Sequence, residues 1–296
     1  MAAVVIGVLA ALVYGSADFI GGLAARRINP VRVTAIGGLS GLALLLVMLP
    51  FVGAQWQPHT IWLGALSGVS GAIGVALLYG CLAIGPMSIL SPLTAVVSAI
   101  VPAMVGVVRG ERLSALGYGA IAIALVAVVL VGFVPEKGAV RPSVKALLMA
   151  VGAGAFIGGF LVIIDLTPAD SGLAPLIASR ATNAVIMFAA VGAIALFARR
   201  RGLASGRVMS GEGASGGEWR PGLALAVLGG VVDAAANVLL LLGLRLGELT
   251  IQSVLTALYP AGTIILAAVL LRERIAPVQI VGLVLALVAA ALLALA

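Results

Sequence analysis

Histidine and cysteine each occur once, as His59 and Cys81. A metal centre needs several nitrogen, sulfur or carboxylate ligands drawn together, so this scarcity excludes a built metal site. A lone cysteine closes no intramolecular disulfide, and Cys81 lies inside an apolar run. Charge is also scarce: Asp, Glu, Lys and Arg make up 9% of 296 residues, while 63% are apolar. Soluble domains carry about 25% charged and 45–50% apolar residues, so a water-soluble surface is excluded. No Gly-x-x-x-x-Gly-Lys loop is present, which argues against direct ATP drive. No basic patch interleaves with aromatics, so the net charge of +7 does not mark a nucleic-acid partner. Carboxylates scattered singly, with one histidine and one cysteine, do not make the clustered acids, bases and nucleophiles of an enzyme, and no cofactor is implied.

What the chain has instead is apolar runs. Ten of them, near 3–23, 32–52, 61–81, 87–108, 114–134, 145–165, 172–198, 221–243, 249–271 and 276–295, are separated by breakers. Each is close to the roughly 20 residues needed to cross about 30 Å of hydrocarbon. Backbone polar groups in lipid must be satisfied within the span, so continuous runs read as helices rather than open sheet or barrel strands. No Lys or Arg precedes the first apolar stretch, so it reads as a retained span rather than a cleaved leader. Most connections are short, such as Gly85-Pro86 and Leu246-Gly247-Glu248; the long polar one, 199–220, is Gly/Ser-rich and reads as a connector.

The chain is duplicated. Residues 63–130 align without a gap on 225–292, and 23 of 68 positions are identical, against roughly 7 expected from composition. Gly85 matches Gly247, Leu93-Thr94-Ala95 matches Leu255-Thr256-Ala257, and Glu111-Arg112 matches Glu273-Arg274. An odd number of spans per copy inverts the second copy in the membrane. The expected fold is therefore an all-α integral membrane protein of ten transmembrane helices in two inverted five-helix repeats. The repeats cover 1–136 and 143–296, with the polar loop 199–220 inside the second. Gly21, Gly22, Gly68, Gly71 and Gly74 are expected to allow close helix packing. Loops after odd-numbered spans hold 13 Lys and Arg and loops after even-numbered spans hold 3, which places the odd loops in the cytoplasm and both termini outside.

Two five-helix repeats, each with a fourth span ending in Gly110-Glu111-Arg112-Leu113 or Arg272-Glu273-Arg274-Ile275, resemble the EamA-type exporters of the drug/metabolite transporter superfamily. The resemblance covers nearly the whole chain. It implies a ten-helix basket around a central cavity, alternating access, and export of amino acids, metabolites or drugs across the cytoplasmic (inner) membrane. It also implies an arginine early in the second span of each repeat. Arg180 fits that place in the second copy, while Pro30-Val31-Arg32-Val33-Thr34-Ala35 in the first has no good match. Cytoplasmic termini, the family habit, oppose the loop charges, so both orientations stay open.

Charges inside spans cost about 2.5–3.5 kcal/mol each at a helix centre, so they mark candidate sites. Asp18, with Tyr14 one turn earlier, reads as a cation or proton site, or as an interfacial carboxylate paired with Arg26 or Arg27. Asp233 and Asn237 share a helix face and read as cavity lining, or as a structural pair neutralising Arg180. Arg180 reads as a substrate-carboxylate clamp, or as the salt-bridge partner of Asp18 or Asp233. Gln252, Thr256 and Pro260, with Tyr259, form a polar stripe, as do Thr94, Ser98 and Pro102; such stripes line a bendable helix or bond neighbouring helices. Glu111 and Glu273 read as turn residues paired with adjacent arginines. Trp56, Trp62 and Trp219 read as interfacial anchors. The expected function is a monomeric secondary transporter of a small molecule, with a proton or counter-substrate as coupling partner. A channel, a structural membrane protein and, more remotely, a membrane-embedded enzyme are the alternatives.

Overall fold

The computed structural model describes all residues except 26, 29, 85–86, 133–141, 201–218, 273–275 and 296. The Gly85-Pro86 turn, most of the 199–220 connector and the Glu273-Arg274 turn lie outside the described residues, as does the Trp219 side chain.

Among the described residues the chain is helical: α1 (Ala2–Ala25), α2 (Pro30–Val52), α3 (Pro58–Ile84), α4 (Met87–Val108), α5 (Ala115–Gly132), α6 (Val144–Asp165), α7 (Ala174–Arg200), α8 (Trp219–Leu246), α9 (Leu249–Thr256), α10 (Pro260–Leu270) and α11 (Pro277–Leu295), with a 3-10 turn at Ala169–Ser171. Among the described residues, seven apolar segments are long enough to cross a membrane, and three more apolar helices are shorter. Val47, Phe51, Val185 and Leu287 are exposed along the shafts, as a lipid-facing surface requires. Trp56 and Trp62, near the start of α3, are exposed too.

Local chemistry sets the ends. Pro30, Pro58, Pro260 and Pro277 each open a helix, where the missing N–H costs nothing. Ser143 caps α6 by accepting from the Ala146 amide. Gly110, at φ 100°, ends α4 in a left-handed turn: Glu111 N–H bonds Gly106 O and Gly110 N–H bonds Val107 O, the Schellman pattern.

The apolar run expected over 249–271 is not one continuous helix. It is two helices, α9 and α10, separated at 257–259.

The main packing pairs join the two parts of the chain. α1 lies against α8, α9 and α10; α6 lies against α3 and α4. α2 contacts α8 while α7 contacts α3, α4 contacts α9, and α5 pairs with α11. Small residues set these distances. A Cβ on Gly68 would lie 2.4 Å from Ser179 O, one on Gly74 2.8 Å from Ile157 Cγ1, and one on Gly230 2.1 Å from Gly37 O. Gly21 and Gly22 differ from expectation: an added Cβ there meets nothing within 4 Å, and Gly71 has only an ordinary contact to Phe160. Gly230→Ala is therefore expected to lower stability by about 1–3 kcal/mol. Gly21→Ala should stay within about 0.5 kcal/mol, both read from thermal unfolding in detergent.

Candidate functional site

A cavity of about 300 Å³ lies between α1, α3, α4, α6, α7, α8 and the α9–α10 break. Tyr14 and Asp18 reach it from α1, Ser98 from α4, Arg180 from α7, Asp233 and Asn237 from α8, and Thr256 and Tyr259 from the break. The ionisable core is asymmetric. Arg180 Nη2 is ion-paired with Asp233 Oδ2. Asn237 Nδ2 donates to Asp233 O at 2.8 Å, one turn back, so its amide braces the helix rather than the carboxylate. Asp18 has no hydrogen-bond or ion-pair partner among the described residues.

The helix break follows from proline and close packing. Pro260 supplies no N–H, so Thr256 O accepts from Tyr259 instead. Bonding shifts to i→i−3 at Leu258 N to Leu255 O, Tyr259 N to Thr256 O and Ala261 N to Leu258 O. The backbone of α1 crosses here: a Cβ on Gly15 would sit 2.3 Å from Tyr259 O, and Thr263 Oγ1 donates to Gly15 O at 3.0 Å. Thr256 Oγ1 is buried with no hydrogen-bond partner.

One end of the bundle is tied by polar contacts. Arg109 pairs with Asp165. Arg245 donates to Thr167 O at 2.6 Å and to Ser171 Oγ at 3.3 Å. Ala54 and Gly172 form a bridge, with Gln55 N–H on Ser171 O and Leu173 N–H on Gly53 O. Glu111 accepts from the amides of Leu249 at 2.8 Å and Thr250 at 3.0 Å. This corrects the turn-fixing reading: Glu111 caps another helix instead of pairing with its neighbours. Glu248, beside it, has its carboxyl pushed up by burial and secondarily by Glu111.

A sequence profile of the EamA-like transporter family matches residues 144–295, just over half of the chain. The chain belongs to this family. No curated protein matches it. Among 29 solved chains that match in structure, one titled only as the crystal structure of a protein aligns at a TM-score of 0.76. It is 18% identical, and the alignment covers 99% of this chain and 96% of that one, which makes the fold common to both.

EamA-like membership makes this a multi-pass membrane protein of a transporter family rather than of an enzyme family. Two of the expected site residues sit elsewhere. Thr94 Oγ1 donates to Leu90 O at 3.0 Å and to Ala150 O at 3.2 Å, which ties α4 to α6. Gln252 is fully buried and donates to Ala3 O at 2.8 Å, between Gly7 and Gly243. Each bonds a neighbouring helix one turn before the stripe residue that lines the cavity, Ser98 after Thr94 and Thr256 after Gln252. Sequence reasoning missed Ser67, Ser179, Asn183 and Phe160, which also line the space. Ser179 and Asn183 flank Arg180 at helical spacing, and that spacing was the available signal.

Proposed function

We propose that this EamA-like chain is a secondary-active carrier. It moves small metabolites such as amino acids, related amines or drugs outward across the cytoplasmic membrane by alternating access. A proton or counter-substrate drives it, and the cavity is the translocation site. One observation carries this reading: a chamber within apolar helices holds an ion pair and a separate carboxylate beside a broken helix. Discontinuous helices at the chamber are a recurrent carrier device, because they present backbone and side-chain polar groups at membrane depth.

The carrier is proposed to have ten spans in two inverted repeats, 1–136 and 143–296. The packing supports this. Shifting each partner by five spans converts α1 against α8 into α6 against α3, and α2 against α8 into α7 against α3. Proteoliposomes preloaded with unlabelled amines or amino acids are expected to show saturable counterflow of the labelled compound. A channel shows none, and its absence across the panel would remove the carrier reading. Single cysteines at Pro86 and Glu248 are expected to label from opposite sides of the membrane; labelling from one side would remove the inversion.

A further inference from the structure

We propose that the cavity selects an organic monocation, and that Asp18 is the carboxylate that holds it; the proposal rests on the carrier reading above. The argument is one of charge. The ionisable carboxylates and cations lining the cavity, among the described residues, are Asp18, Asp233 and Arg180. An arginine keeps its charge in any protein setting. It is already spent on Asp233, so that pair sums to zero. Asp18 is left with no partner among the described residues and, when ionised, gives the chamber one net negative charge.

An occluded carrier must close around its cargo, and an uncompensated charge in low dielectric costs several kcal/mol. A monocation brings the sum to zero. A zwitterion leaves it at one negative charge, and an anion doubles it. A carboxylate on the cargo would reach Arg180 only by competing with Asp233.

The rest of the lining agrees. Tyr14, Phe160 and Tyr259 line the chamber, and aromatic rings are groups that attract ammonium ions. Thr256 also lines the chamber, and its hydroxyl is buried with no hydrogen-bond partner. The second copy has nothing equivalent to Asp18: Ala155 stands at the matching place.

The test uses the full chain purified in detergent and then reconstituted. Two skeletons are compared, each as amine, zwitterion and anion: phenethylamine, phenylalanine and 3-phenylpropanoate; butylamine, norvaline and pentanoate. An amine is expected to raise the thermal midpoint and to exchange in counterflow, while its carboxylated counterparts do neither. Asp18→Asn should weaken amine binding about ten- to a hundredfold, the worth of one charge-assisted contact, and Asp18→Glu should keep most of it.

Stabilisation by a zwitterion or anion equal to that by its amine overturns the proposal. So does the absence of stabilisation by either amine, or amine binding unchanged in Asp18→Asn. If that variant does not fold, the wild-type comparison decides alone. Counterflow of phenylalanine without phenethylamine removes the charge rule and keeps the carrier. Amine binding without any counterflow removes the carrier and keeps the charge rule.

Discussion

Arg180→Ala is expected to destabilise the protein strongly and to abolish transport. The substitution removes one partner of an ion pair inside the helical bundle and leaves Asp233 uncompensated, with the unpartnered Asp18 lining the same cavity. Breaking a fully buried pair from one side costs about 3–5 kcal/mol, mostly because the remaining charge has lost its partner. The side chains of Arg180 and Asp233 are 19% and 33% exposed to the cavity, so water relieves part of that and the lower end applies. The diagnostic measurement is a double-mutant cycle on thermal unfolding in detergent. Asp233→Asn added to Arg180→Ala removes the orphaned charge, so the double variant should recover most of the lost stability. A double variant as unstable as Arg180→Ala alone would mean that the arginine acts through packing and not through its partner.

The helices were largely legible because the dominant signal is long-range and crude. A run of some twenty apolar residues has one low-cost state in lipid, and most boundaries differ from expectation by only a few residues. The proline stripes marked both 249–271 and 87–108 as bendable without saying which one breaks, and the comparison with α4 shows why. Pro102 sits within α4, which remains continuous, whereas Pro260 stands at a break. What differs is outside the local sequence. Gly15 and Gly262 let α1 press against the 257–259 backbone, and Thr263 bonds across to α1.

The site was legible at the level of charge and less so at the level of geometry. Insertion cost singled out Asp18, Arg180 and Asp233, since a charge facing lipid is costly, and all three line the cavity. It did not choose between Asp18 and Asp233 as the partner of Arg180, because that depends on where α1, α7 and α8 meet. Polar stripes were coarser still. Thr94 and Ser98 are one turn apart, yet Thr94 is consumed by Ala150 O and Ser98 faces the chamber. Glu111 was misread for the same reason: its partners are amides 138 and 139 residues away in sequence.

Glu111→Ala is the second large effect expected. α9 has no side-chain cap of its own, since Glu248 stands at the N-cap position and makes no capping bond. Glu111 supplies the cap from the end of α4, aimed by the left-handed turn at Gly110, and satisfies the Leu249 and Thr250 amides. A carboxylate at a helix N-terminus gains from both the free N–H groups and the dipole. Two charge-assisted bonds at about 1.5–3 kcal/mol each place the loss near 3–6 kcal/mol. Glu111→Gln keeps one acceptor and should lose about half of that. Thermal unfolding and protease sensitivity of the 246–250 segment measure it. Glu248 gives the companion result with opposite sign. Its carboxyl is raised from the ordinary 4.5 by burial and then by Glu111. A raised acid penalises the folded state when ionised, so the penalty is absent below 4.5 and grows as pH rises through the folded value. Glu248→Gln should therefore raise the thermal midpoint at neutral pH and flatten its pH dependence in that window. In Glu111→Ala that dependence should shrink without vanishing, because burial remains once the second cause has gone.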